Sequence, residues 1–156
     1  SLIGEVKRNP RIHIPIIGNG DITSPQSAKE AFEKYGVDAV MIGRATFGRP
    51  WFFKECRDYI DAAVGNDACE KGADMVLAAP LTIDDKIDVL EEQLRINVER
   101  IDEYRGILHT RRHLAASPIF KNIPNFRQTR IAMLRANTVQ EIVNILEECR
   151  LKLKGL

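Results

Sequence analysis

The 156-residue chain suits about one ordinary domain, and a composition 44% hydrophobic and 29% charged excludes a disordered, collagen-like or low-complexity protein. No apolar run approaches the roughly 18 residues of a membrane span, and no basic-then-apolar leader is present, so no membrane partner is expected. The net charge of +1 hides an asymmetry: residues 1–105 carry a balance of −5, residues 106–156 one of +6, and 106–140 hold six Lys/Arg, two His and no acid. An acidic front and a basic back point to two modules, the second facing an anionic partner. Three cysteines (Cys56, Cys69, Cys149), without a CxxC pair, fit free thiols in a reducing cytoplasm and argue against a disulfide framework or a zinc site.

In chain order, Ile12-His13-Ile14-Pro15-Ile16-Ile17-Gly18 is short, β-branched and apolar and predicts a strand, with Pro15 near its start where a missing N–H is tolerated. Ser24 is a good N-cap, and Pro25 suits the first helical position. Ala28, Ala31, Phe32 and Tyr35 then form one apolar face, and Gly36 supplies a left-handed stop. Ala39-Val40-Met41-Ile42-Gly43 is an unbroken apolar run of strand length. Strand, helix, strand over about 30 residues is a βαβ unit, so the strands should be parallel.

Both strands then end at the same sheet edge, in Gly18-Asn19-Gly20-Asp21 and Gly43-Arg44. Loops at that edge bind ligands in α/β folds; glycine permits close backbone approach, and Arg44 adds a planar cation. A dinucleotide fingerprint fails at its third glycine, and Asp38 precedes the second strand where a ribose-binding acid would follow it. A phosphate site and plain turn chemistry both remain open on spacing alone.

Trp51-Phe52-Phe53 opens the next helix after Pro50 and reads as a set of packing anchors in preference to a cofactor stack; Lys54, Arg57 and Asp58 read as a solvated face. Residues 64–80, with Gly65-Asn66-Asp67 and Lys71-Gly72-Ala73-Asp74, read as a linker. Thr82 caps a long helix with Asp85 at the capping-box position. Ile83, Ile87, Leu90, Leu94, Val98, Ile101 and Leu108 keep one apolar stripe, a bundle seam. Further helices are predicted over 107–116 and 125–136. A last one opens with the capping box Thr138-Val139-Gln140-Glu141 and buries Ile142, Val143, Leu146 and Cys149. The expected architecture is an α/β portion over 1–64, a linker over 65–81 and an all-α four-helix bundle over 82–156.

Arg111-Arg112-His113 is the densest basic cluster, followed by Lys121, Arg127, Arg130 and Arg135 with no intervening acid. Such a face can track a phosphate backbone; the competing reading is that these cations pair with the acids of 84–103. His109 and His113 are four apart, a metal-ligand spacing, but no HExxH pattern accompanies them and no metal is expected.

Ile16-Ile17-Gly18-Asn19-Gly20-Asp21-Ile22, then Ala39-Val40-Met41-Ile42-Gly43-Arg44-Ala45, then Gly48-Arg49-Pro50-Trp51 resemble the bacterial tRNA-dihydrouridine synthases, most nearly the B-type, nitrogen-regulation-like branch. The likeness is near-continuous over residues 12–58 and looser through the basic C-terminal region. It implies that the α/β portion is the last two βα units of an FMN-binding TIM barrel, and that the helical region binds tRNA. It also implies that Asn19, Gly20, Asp21, Gly43 and Arg44 touch the FMN phosphate and ribityl chain, with Asp21 bonding a hydroxyl or pairing with Arg44. Arg111, Arg112, His113, Lys121, Arg127 and Arg130 are the implied tRNA-binding residues.

The implied reaction is reduction of tRNA uridines to 5,6-dihydrouridine with FMN and NADPH in the cytoplasm. The family's catalytic cysteine stands on an upstream loop, so none of the three cysteines inherits its role. The chain also opens without Met, so it is expected to be a C-terminal portion that is inactive alone. It would expose strand edges at Ile14–Gly18 and Val40–Gly43 and self-associate through them. Two other readings stand beside this one: a small-molecule FMN barrel oxidoreductase, and a non-enzymatic RNA-binding module.

Overall fold

A computed structural model describes residues 2–67 and 79–155. Among them the chain is mostly helical, with one pair of parallel strands. It divides into two compact units, one of residues 1–46 and 52–80 and the other of 47–51 and 81–156.

The first unit begins with α1 (Leu2–Arg8), followed by β1 (Ile17–Asn19), α2 (Pro25–Tyr35), β2 (Ala39–Met41), a 3-10 turn (Arg44–Thr46) and α3 (Phe52–Asp67). β1 and β2 are parallel, in the register Ile17↔Ala39, Gly18↔Val40, Asn19↔Met41, as a βαβ crossover requires. The crossover helix α2 has the expected local signals. The Ser24 hydroxyl accepts from the Ser27 N–H, the Ser27 hydroxyl accepts from the Ser24 N–H, and Pro25 occupies the first turn. Gly36 closes the helix at φ 64°, its N–H donating to the Phe32 carbonyl at 2.8 Å. Ala28 and Ala31 are buried with Ile22, Phe52 and Cys56, while Tyr35 packs at the margin.

Both strands are shorter than their apolar runs. Residues 12–16 do not join the ladder; the Ile16 N–H donates to the Asp38 carboxylate at 2.7 Å, and Ile14 is exposed. Pro15 therefore precedes the strand. A ladder extends only as far as its partner, and β2 begins at Ala39 opposite Ile17 and stops at Met41 opposite Asn19. α1, for which the sequence carries only a brief apolar signal, is tied down by the Lys7–Asp38 ion pair at 2.5 Å and by Gly4 against Tyr35. α3 starts at Phe52, with Trp51 just outside it, and runs to Asp67, into the segment read as linker. Cys69 and Lys71–Asp74 lie outside the described residues.

The second unit contains α4 (Ile83–Arg100), α5 (Glu103–Ala116), a 3-10 turn (Pro118–Phe120), α6 (Phe126–Arg135) and α7 (Val139–Lys154). Thr82 with Asp85 and Thr138 with Glu141 form complete capping boxes, so α4 and α7 start where their sequences direct. Ile87, Leu90 and Leu94 are fully buried against Ile107, Leu114, Phe120, Met133 and the α7 stripe Ile142, Leu146, Cys149 and Leu153. Val143 is only half-buried.

The single stripe expected through Leu108 is broken. Ile101 caps α4 and is exposed, and the Asp102 carboxylate accepts from the Arg105 N–H at 2.8 Å to start a new helix. A side-chain acceptor available for the free N–H groups of a first turn competes with continuation of the helix. Gly106 lets α5 lie close on α4: a Cβ there would sit 2.7 Å from Val98 Cα. Beside it the Asn97 amide donates to the Thr110 hydroxyl at 2.9 Å, and that hydroxyl donates to the Gly106 carbonyl.

Candidate functional site

In the first unit the parallel pair delivers both carboxyl ends to one place. A cleft of about 780 Å³ opens there, with Asn19, Asp21, Thr23, Met41, Gly43 and Arg44 among its lining residues. The loop after β1 turns at Asp21, whose φ of 33° lies in the left-handed region, which Asp tolerates better than most residues. The loop after β2 is closed by its 3-10 turn, in which the Thr46 hydroxyl and N–H both donate to the Gly43 carbonyl, at 2.8 and 3.1 Å. These two turns bring the Arg44 guanidinium to the Asp21 carboxylate, and the two are hydrogen-bonded and ion-paired.

Both partners of this pair are largely exposed, so solvent screens it and it contributes little to stability. Its value is positional, because the carboxylate holds one edge of the guanidinium while other N–H donors stay available. The glycines differ in what they do. Gly18 is closely packed, since a Cβ would press on the Val37 side chain at 3.3 Å, whereas a Cβ on Gly20 would meet nothing within 4 Å. Gly20 thus leaves open space at the loop that follows β1. A phosphate ester with a polyhydroxyl chain fits this donor set: a guanidinium, an amide at Asn19, exposed backbone, and a carboxylate that accepts from hydroxyls.

Trp51 is buried in the helical unit's core with the Lys86 ammonium 5.8 Å from its ring, Phe52 is buried in the core of the first unit, and Phe53 is exposed. Lys54 and Arg57 both pair with Asp58.

The second unit carries the basic face on α5, α6 and the turn between them. Acids of residues 84–103 take their cations elsewhere: Arg150 reaches Asp84 at 3.0 Å and Asp88 at 2.6 Å, Lys154 reaches Asp84, Arg95 reaches Glu91, and Arg105 reaches Asp102. Among the described residues Arg112, Lys121, Arg127, Arg130 and Arg135 make no ion pair and are exposed. The internal-pairing alternative is therefore not how this face is built. Arg111 is half-buried and donates to the Ala136 carbonyl at 3.2 Å, which holds its guanidinium at the end of α6.

His113 is also turned to protein. Its Nδ1 accepts a long 3.4 Å bond from the Gly48 N–H, and its ring lies 4.2 Å from that of Phe47. Burial, then the positive charges of Arg112 and His109, push its pKa below the ordinary value. Gly48 has φ 73°, and a Cβ would lie 2.7 Å from the Ser117 N and 2.8 Å from the His113 carbonyl oxygen. Sequence reasoning did not anticipate this seat for residues 47–51; the one available signal was a glycine two residues before Pro50. His109 stays exposed, and among the described residues no group of three His, Cys, Asp or Glu could hold a metal ion. Nor is any described helix long and apolar enough to cross a membrane.

The sequence is similar to that of tRNA-dihydrouridine synthase B of Shewanella oneidensis, 36% identical over 112 residues that make up 72% of this chain and 30% of that protein. A probable tRNA-dihydrouridine synthase of Aquifex aeolicus is 27% identical over 137 residues, 88% of this chain and 37% of its own length. Over a 51-residue stretch, 33% of this chain and 16% of the relative, identity to tRNA-dihydrouridine synthase B of Salmonella typhimurium reaches 53%. The chain thus spans about a third of the length of the longer-matching relatives. The sequence model of the dihydrouridine synthase family matches residues 1–154, nearly the whole chain. With that match over nearly all of its length, the chain belongs to the dihydrouridine synthase family.

Proposed function

We propose that this chain is part of an enzyme that reduces uridines in tRNA to 5,6-dihydrouridine, using FMN with NADPH as reductant. The observation that carries the cofactor half is the Asp21–Arg44 pair in a cleft at the carboxyl ends of two parallel strands. Phosphates bind at this position in flavin-type barrels, after the last two strands, and the first unit reads as those two βα units. Reduced FMN, when bound, supplies the hydride. Arg44 would hold the phosphate through the N–H groups that Asp21 leaves free. Asn19 would donate its amide, Gly20 and Gly43 would admit the ester to the backbone, and Asp21 would accept from a ribityl hydroxyl.

The RNA half rests on the unpaired cations of the second unit, which we read as a helical tRNA-binding domain over residues 82–156, joined by 65–81 to a barrel portion ending near residue 64. Arg112, Lys121, Arg127 and Arg130 would meet phosphates, with Arg111 and His113 buttressing that face from its inner side. Each phosphate neutralised adds to the salt dependence of binding.

Two measurements test the reading in the enzyme that contains this chain. FMN should bind more tightly than riboflavin, which lacks the phosphate, and Arg44→Ala should abolish that preference; equal binding of both flavins by the wild type would sink the clamp. In a salt series, tRNA affinity should fall steeply with ionic strength, and Arg112→Glu/Arg127→Glu/Arg130→Glu should flatten the slope. An unchanged slope would remove the RNA assignment and favour a small-molecule flavoenzyme.

A further inference from the structure

We propose that the groove between α5 and α6 holds an unstacked base of a single-stranded RNA segment. The inference rests on the RNA-binding reading above and specifies which part of the RNA this face takes. The groove, about 450 Å³, is lined by Leu108, His109, Arg111 and Arg112 of α5 and by Leu134 of α6. Positions 108, 111 and 112 lie three and four apart, so they share one face of α5.

Three features set the occupant's chemistry. The lining includes two leucines, of which Leu134 is 39% exposed and Leu108 half-buried, so the groove has an apolar floor open to solvent. No carboxylate lines it, and among the described residues neither Arg112 nor His109 has an ion-pair partner. Finally, Arg111 is held to the Ala136 carbonyl, so one planar guanidinium is already oriented at the groove and loses little freedom on binding.

A bare phosphate would use the cations and leave the leucines uncovered. An A-form duplex keeps its bases stacked inside and offers phosphates and 2′-hydroxyls, so it too would bypass the apolar floor. A splayed-out base satisfies both parts: its flat faces cover leucine and stack on guanidinium or imidazole, while its own phosphate meets Arg112. The volume lies within the range of small-molecule sites, roughly 300–1,000 Å³.

The test uses the full 156-residue chain and fluorescence-labelled RNA, comparing one single-stranded oligonucleotide with the same sequence in a perfect duplex. A surface that reads charge alone favours the duplex, whose charge density is higher. The wild type should instead bind the single strand roughly tenfold more tightly, the size of one stacking interaction. Leu134→Gln should remove that preference and leave duplex binding unchanged, whereas Arg127→Ala should weaken both probes together. A single strand carrying abasic sites gives the same reading on the unaltered chain, and it should bind no better than the duplex. If RNA binds without a preference for the intact single strand, the base site is wrong and the phosphate-binding face stands. If neither RNA binds at low salt, the RNA-binding reading itself falls and takes this inference with it.

Discussion

The two units of this chain solve the same problem with unequal means. The helical unit gathers Leu90, Leu94, Leu114, Phe120 and Met133 into one closed core, with α7 completing it. Among the described residues the first unit buries the smaller set Ile22, Ala28, Ala31, Val37, Phe52 and Cys56 around a two-stranded sheet, and leaves Ile17 64% and Met41 46% exposed. A parallel pair is ordinarily covered on both faces and paired at its edges. The helical unit therefore closes its core more completely than the first, whose strands keep apolar side chains in solvent. The functional groups follow the same division. The cleft at the strand ends sits on the part with the small core, and the exposed cations project from the part with the large one.

The largest test of this contrast is in the cores. Leu90→Ala should cost the helical unit about 2–5 kcal/mol, because its fully buried site cannot collapse around the cavity. Ile22→Ala should cost the first unit about 2 kcal/mol, the low end of that range, since only the transfer of the deleted carbons is lost where the surroundings can relax. Urea unfolding followed at Trp51, buried in the helical unit, reports the first; hydrogen exchange of the α2 amides reports the second. Equal penalties would erase the distinction.

Next in size are the close approaches. Gly106→Ala should destabilise the helical unit by about 1–3 kcal/mol by pressing a methyl on the Val98 backbone, and Gly48→Ala by a similar amount at a positive φ. Thermal melting in the far ultraviolet measures both, and a neutral result at Gly106 would mean that α5 can slide along α4.

The exposed strands predict a further difference. Amides of 17–19 and 39–41 should exchange faster than those of α4 and α7, and the chain should self-associate with rising concentration. Ile17→Lys should lower that association in light scattering, since charge at a strand edge opposes pairing. A strict monomer with protected strand amides would show that the two strands suffice alone.

The smallest effect is acid sensitivity. His113 has a folded pKa held below its ordinary value of about 6.5, so the unfolded chain binds more protons. Its contribution is complete above about 6.5 and is lost as pH falls from there through the folded value. Asp84 and Asp102 are held low mainly by hydrogen bonds, from Lys154 and the Arg105 backbone respectively, and their contributions disappear only at lower pH, below about 4. Glu91, raised by burial, acts in the opposite direction: its contribution is present below about 4.5 and is lost as pH rises through its folded value. A His113→Asn variant should therefore lose the step that begins below the ordinary histidine range in a stability–pH profile and keep the acid limb. If the wild type shows no such step, the buried environment of His113 is not maintained in solution.

Much of this molecule is written locally. Ser24 with Pro25, Thr82 with Asp85, and Thr138 with Glu141 satisfy the free N–H groups of a first turn with side chains at fixed offsets, so three helix starts were readable. The parallel direction of the strands followed from the length of their crossover, whereas Arg44 was one of two partners that the family resemblance implied for Asp21, and the structure pairs the two. The break at Ile101 was masked by an apolar spacing that continues across it, although the capping acid Asp102 was in view.

Sequence alone therefore determined the crossover helix, the starts of α4 and α7, and that one cation-rich stretch has no acids within it; these depend on neighbours a few residues away. Only the tertiary structure decided that β1 begins at Ile17, that Gly106 is the contact point of two helices, and that Arg150 from α7 serves the acids of α4. It alone seated Gly48 against His113 and, among the described residues, left Arg112, Lys121, Arg127 and Arg130 without an ion-pair partner. Those outcomes depend on which distant surfaces meet, and a pairing between residues some sixty positions apart leaves no trace in the spacing of either segment.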